Sequence, residues 1–172
     1  MDVKKAINKR RSIRKYKDKK VPDHLIMEVL EAARLAPSGI NAQPARYLIV
    51  KDDEVKKKLK ENKVFPQDFL YQAPVIIVCC ADPNAYKKRV AGLDLPNDVR
   101  AIRDLSIASA FLVLRATELG LGTCYVGWLD EEKLLSTLSI PKGIVVPYVI
   151  TLGYSAEKPK PSSRKKMDEI LL

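Results

Sequence analysis

Leu25, Ile26, Val29, Leu30 and Ala33 recur at intervals of one, three and four residues, a spacing that gathers apolar side chains on one face of an α-helix. Asp23 and Glu28 place negative charge near its start, where the helix dipole favours it, so an amphipathic helix is predicted from Pro22 onward. A second helical pattern spans about residues 104–119, with Leu105, Ala108, Phe111, Leu112, Arg115 and Leu119 on a repeating face and small Ser106, Ser109 and Ala110 between them. So apolar a helix belongs at the centre of a fold. Residues 46–51 read as a short strand, 51–62 as a lysine-rich surface helix, and Val75–Ala81 as a continuous apolar strand buried on both faces. Burial on both sides implies helices above and below. Gly120 and Gly122 end the central helix, and residues 123–128 and 145–152 supply two further strands rich in β-branched and aromatic side chains.

Helices come first and strands mixed with helices follow, without strict βαβ alternation, so the pattern predicts an α+β sheet covered by helices. Residues 1–172 read as one domain: neither repeats nor linker-like stretches interrupt them. Cys79 and Cys80 lie inside the apolar strand and read as core residues of a reduced protein. His24 is the sole histidine and CxxC is absent, which argues against a zinc site, and no metal is expected. No apolar run approaches the roughly 20 residues of a spanning helix, and the opening lacks the pattern of a leader, so the protein is expected in the cytoplasm, off the membrane. The formal net charge is +10, a balance often found in nucleic-acid binders. The lysines of 15–20, 56–63 and 158–166, however, lack the interleaved aromatics that stack bases. They read as a solvated face, and nucleic acid is not expected as a partner.

Gly120-Leu121-Gly122 is not a dinucleotide loop, because it follows a helix and enters a strand, the reverse of the required context. The glycines suit a left-handed cap and a tight turn. Two other clusters carry chemistry. Arg10, Arg11, Ser12 and Arg14 put three guanidiniums and a hydroxyl within five residues, just after a short helical stretch from Val3, a donor set suited to an anion with several oxygens. Residues 36–44, Ala-Pro-Ser-Gly-Ile-Asn-Ala-Gln-Pro, join the first long helix to a strand. Pro37 and Pro44 stiffen the backbone there, while Ser38, Asn41 and Gln43 can recognise the edge of a planar heterocycle.

The pairing of Arg-Arg-Ser-x-Arg with Ala-Pro-Ser-x-x-Asn-x-Gln-Pro resembles the FMN-dependent nitroreductase family, and the likeness extends over nearly the whole chain. The resemblance implies a nitroreductase-like fold with a central mixed β-sheet, and an intertwined homodimer with FMN at the subunit interface. By similarity, Arg10, Arg11, Ser12 and Arg14 hold the phosphate, the ribityl chain and the N1/O2 side of the ring. Pro37, Ser38 and Gly39 come from the partner subunit, with Asn41 and Gln43 in the same loop. The backbone of Val126 and Gly127 matches the positions facing flavin N5, and Arg164 with Lys165 matches a basic pair that closes the phosphate site. Ala45 stands where an aromatic often follows Gln-Pro, and the stretch between Ala81 and Asp104 is short, which suggests an open pocket.

The activity implied is that of an FMN-dependent oxidoreductase that takes electrons from NADH or NADPH and passes them, by a ping-pong mechanism, to a small conjugated acceptor such as a nitroaromatic or quinone. The chemistry is the cofactor's, and no acid or base in the motifs singles itself out as catalytic. The alternatives are another reaction on the same fold, of dehalogenase or flavin-destructase type, or a flavin- or nucleic-acid-binding protein without turnover.

Overall fold

The computed structural model describes residues 2–86 and 95–171. Helix α1 (Val3–Lys9) is capped by Asp2, whose side chain accepts from the Lys5 amide at 2.8 Å. Helix α2 (Asp23–Arg34) follows Pro22 and buries Ile26, Val29 and Ala33, the stripe its periodicity foretold. Strand β1 (Ala45–Val50) leads into α3 (Asp53–Glu61), which Asp52 starts by accepting from the Glu54 and Val55 amides. Strand β2 (Val75–Ala81) precedes the long helix α4 (Asn97–Glu118). Strand β3 (Gly122–Val126), α5 (Glu131–Thr137) and β4 (Val145–Gly153) complete the regular elements.

The strand order is β1-β2-β4-β3, and all three pairings are antiparallel. The parallel component expected of a mixed sheet is confined, among the described residues, to an isolated bridge between Ser12 and Thr123. Every residue of β2 is buried. Its odd positions, Val75, Ile77, Cys79 and Ala81, pack with α2 and α4, including Val29, Leu105 and Leu112. Ile76, Val78 and Cys80 face the other layer, with Leu59 of α3 and Leu134 of α5. Each fully buried Ile or Leu stabilises the fold by about 1.5–3 kcal/mol, so β2 is the spine between two cores. Cys79 and Cys80 are free thiols in that spine, and burial pushes the pKa of the Cys80 thiol up to about 11.

Helix α4 begins seven residues before Asp104, because Pro96 halts the preceding chain and Asn97 can start a helix. Gly120 takes the left-handed conformation (φ 77°) of a helix stop. Gly122 is instead the first residue of β3. Lys56 departs from the solvated lysine face, being buried with its Nζ 2.9 Å from Asp53 Oδ1.

Candidate functional site

After α1, residues 12–16 start at the outer edge of β3, pass its first residue and reach the chain just beyond β4. Ser12 bridges to Thr123, the Ile13 amide donates to the Thr123 carbonyl at 2.9 Å, and Tyr16 pairs with Ser155. The Tyr16 hydroxyl donates to the Ile13 carbonyl at 2.7 Å and lies 2.6 Å from Thr151 Oγ1. Glu157 Oε1 accepts from the amides of Arg14 (2.5 Å) and Lys15 (3.1 Å). Two glycines let the segment lie flat: a Cβ at Gly122 would come within 2.7 Å of Ile13 Cγ1, and one at Gly153 within 2.8 Å of Tyr16 Cδ1. Arg11 is committed locally, donating to the carbonyls of Asn8 and Arg10. Arg10, Ser12 and Arg14 converge on Cys124: burial pushes its thiol up, against the opposing pull of Arg14, a Ser12 hydrogen bond and Arg10. Among the described residues neither Arg10 nor Arg14 has an ion-pair partner, leaving two fixed cations with capacity for an anion.

The loop after α2 makes one 3-10 turn, Gly39–Asn41. Ile40 (φ 49°), Asn41 (φ 56°) and Gln43 (φ 49°) all occupy the left-handed region, a cost of about 1–3 kcal/mol for each non-glycine residue, tolerated only where surroundings hold it. Hydrogen bonds do so: within the loop the Asn41 amide donates to the Ser38 carbonyl and the Ala42 amide to the Gly39 carbonyl, both at 3.0 Å, and the Gln43 amide to Ser38 Oγ at 2.9 Å, while from outside Arg46 donates to the Gln43 carbonyl at 2.8 Å and Asp104 Oδ2 accepts from the Gly39 amide at 2.7 Å. Asp104, only 3% exposed on α4, also accepts from the Tyr86 hydroxyl and from Arg103 Nε at 3.2 Å. Burial works to raise its carboxyl, but Tyr86, the Gly39 amide and Arg103 outweigh that and hold it below its ordinary value. Burial, with the hydrogen bond and charge of Asp104, pushes the Tyr86 phenol up to about 12. Arg100 lies 4.1 Å above the Tyr86 ring. Behind the loop, Met27, Leu30, Pro37, Ser38, Tyr47 and Ala108 line a cavity of about 320 Å³.

These two clusters do not meet within one chain. Ser12 sits beside Thr123, in the row of Leu152 and Val75, whereas Ala45 after the loop is in the row of Ala81. With four strand spacings of about 4.8 Å and six residue steps of about 3.4 Å, they stand roughly 28 Å apart at diagonal corners of the sheet.

The Nitroreductase family profile matches residues 7–64 and 60–154. The chain belongs to the nitroreductase family. A Methanothermobacter thermautotrophicus protein named as an NADH dehydrogenase/NAD(P)H nitroreductase is 37% identical over 164 residues, 92% of this chain and 80% of its own length. The FMN reductase [NAD(P)H] of Bacillus subtilis is 31% identical over 168 residues, 91% of this chain and 67% of its own. Among solved structures, a Desulfovibrio desulfuricans protein described as a nitroreductase in complex with FMN superposes with a TM-score of 0.86 at 31% identity, covering 100% of this chain and 96% of that one.

Within this nitroreductase, Val126 and Gly127 close the strand that the arginine segment borders. Val126 is buried opposite Val149, and a Cβ at exposed Gly127 would meet only the Pro147 carbonyl at 3.7 Å, so the backbone there is open to approach. Arg164 and Lys165 lie in the exposed C-terminal stretch, where Arg164 donates to the carbonyls of Ser162 and Ser163. Of the stretch between Ala81 and Asp104, where an open pocket was expected, residues 87–94 lie outside the described residues. Sequence reading passed over Asp104, Tyr86, Tyr16 and Glu157. Asp104 carried one signal, a carboxylate on the apolar face of a helix.

Proposed function

We propose that this member of the nitroreductase family is an FMN-dependent NAD(P)H oxidoreductase, a homodimer with FMN at the subunit interface, reducing a small conjugated acceptor. One observation carries the reading. Among the described residues Arg10 and Arg14 stand without ion-pair partners on the segment that borders β3, the strand followed by open Gly127, while the polar loop Pro37–Gln43 leads into β1 at the diagonal corner of the sheet. A second copy would bring the missing half to each site. A ready surface supports that pairing: α4 leaves Val99, Ile107 and Phe111 (43%) exposed, an apolar face of the kind that marks an interface.

The donor set fits FMN. Arg10 and Ser12, with Arg11 at the end of α1, suit a terminal phosphate, and Arg14 suits the N1/O2 edge of the ring. The Val126 and Gly127 backbone borders N5. Pro37, Ser38 and Gly39 of the partner chain, followed by Asn41 and Gln43, cover the ring, and Arg164 with Lys165 closes the phosphate end. FMN, when bound, supplies hydride acceptance from a reduced nicotinamide and electron delivery to the acceptor. The protein's part is to bind, orient and hold positive charge where negative charge grows; no side chain is assigned to proton transfer. Among the described residues no helix is long and apolar enough to cross a membrane, and we place the enzyme in the cytoplasm.

The test is chromatography of heat-released cofactor from purified or reconstituted protein, with anaerobic NADH and NADPH titrations of its visible spectrum. FMN that bleaches on addition of either nucleotide is expected. FAD, or no flavin after reconstitution, would overturn the reading.

A further inference from the structure

We propose that Asp104 is the positioning residue of the Pro37–Gly39 loop, so that one carboxylate on the central helix sets how each chain presents that loop to a flavin. The flavin half of this proposal rests on the cofactor reading above. Its anchoring half rests on geometry alone.

The loop cannot hold its shape from local preference. Ile40, Asn41 and Gln43 are all left-handed without being glycine, and Ile40 is β-branched and exposed, the residue type least suited to that conformation. Of the hydrogen bonds that hold the turn, those from the Asn41 amide to the Ser38 carbonyl, the Ala42 amide to the Gly39 carbonyl and the Gln43 amide to Ser38 Oγ are internal to the loop and move with it, and Arg46 reaches only the Gln43 carbonyl at its far end. The bond from the Gly39 amide to Asp104 Oδ2 instead ties it to α4, 65 residues away. Gly39 is seated against the whole cluster: a Cβ there would lie 3.3 Å from Arg103 Nη2, 3.4 Å from the Tyr86 hydroxyl and 3.5 Å from Asp104 Oδ2.

A buried carboxylate is costly unless its lone pairs are filled. Asp104 meets that condition with three donors, and two of them, Tyr86 and Arg103, fix the carboxylate so that its remaining capacity points at Gly39. Arg100, stacked on Tyr86, backs the arrangement from the next turn of the helix. Pro37 and Ser38, which would touch a flavin in the partner's site, are the two residues before that anchored amide. Losing the anchor therefore releases the segment that matters for the cofactor and leaves the sheet and its cores in place.

The experiment compares wild type with Asp104→Ala and Asp104→Asn, using Tyr86→Phe to loosen the carboxylate without touching its bond to Gly39. In flavin-free protein, amide hydrogen exchange at Gly39 should be at least about tenfold faster in Asp104→Ala, the loss expected for a hydrogen bond to a charged group, while β2 amides keep their protection. Asp104→Asn, which keeps an acceptor but not the charge, should fall between, and it carries the test if the alanine variant does not fold. With FMN added, dissociation constants should rise in the same order, and the visible circular dichroism of the bound flavin should change. Unchanged Gly39 exchange would overturn the anchoring. Faster exchange with unchanged FMN affinity and dichroism would overturn the link to the cofactor. Wild type that takes up no FMN would defeat the cofactor reading and the flavin half together, with Gly39 exchange still deciding the anchor.

Discussion

Gly122→Ala is the sharpest test of how the arginine segment is seated. The added methyl would lie 2.7 Å from Ile13 Cγ1, 2.9 Å from Ile13 Cβ and 3.1 Å from Ile13 Cγ2, where ordinary carbon contacts are about 3.5–4.0 Å. Relief requires Ile13 to move away from β3 by roughly 1 Å. The bond from the Ile13 amide to the Thr123 carbonyl, now 2.9 Å, would then stretch towards 3.9 Å, beyond hydrogen-bonding range. Overpacking costs about 1–3 kcal/mol and the lost bond about 0.5–1.5 kcal/mol, so destabilisation of about 2–4 kcal/mol is expected by denaturant unfolding. FMN affinity should fall as well, because Arg10, Ser12 and Arg14 ride on the displaced segment. Ile13→Ala removes two of the three clashing atoms, so the double variant should be more stable than the sum of the single costs by more than about 0.5 kcal/mol. Additive costs, or full FMN affinity in Gly122→Ala, would refute the argument.

Three further outcomes are expected. Arg14→Ala should lower the flavin's reduction potential, measured against a reference dye, while Arg10→Ala should mainly weaken FMN binding; Glu157 holds Arg14 through its backbone amide, so the segment stays in place, and a shift of about 30 mV corresponds to roughly 1.4 kcal/mol. Phe111→Asp puts a charge on the exposed face of α4 and should reduce the mass found by light scattering from twice 19.3 kDa to 19.3 kDa; a dimer of unchanged affinity would remove that face from the interface. Asp104 is held below its ordinary 3.8 while Tyr86, Arg103 and Arg100 face it, so its contribution is full above about pH 4 and is lost as pH falls through the lowered value. Urea midpoints of Asp104→Asn should therefore fall less steeply on acidification than those of wild type, in which exposed Asp53 and Asp130, also lowered, leave a residual slope.

Periodicity was informative where burial is one-sided or complete. The stripe of α2 and the unbroken run of β2 are local consequences of what each residue touches, and both elements stand where the pattern puts them. The first turn of α4 was missed because Asn97, Asp98 and Arg100 break the apolar rhythm, although Pro96 marks the start. α5 was missed too, despite Asp130 and the acidic Glu131 and Glu132 in its first turn. Strand order was out of reach, since pairing β2 with β4 joins residues some seventy positions apart through contacts that no short window contains. The motif residues 10–14 and 36–44 were legible by their donors. Their supports Glu157 and Asp104 were not, because each acts through a main-chain group of a distant segment and so leaves no spacing to read, and the long-range partner of Tyr16 is the Thr151 hydroxyl.

The diagonal separation of the arginine segment and the Pro-Ser loop also has a genetic meaning. In the proposed homodimer, a lesion in either half would disable both sites of a dimer made from one allele. In a mixed dimer, a chain lacking Arg10 and Arg14 but keeping its loop would complete nothing on its own edge, yet it would lend its loop to a partner whose arginines are intact. Two null alleles, one in each half, would then restore one site per mixed dimer. Random assortment makes about half the dimers mixed, so about a quarter of the wild-type sites would return. Complementation of this kind is open only to a protein whose pocket is divided between the corners of its own sheet.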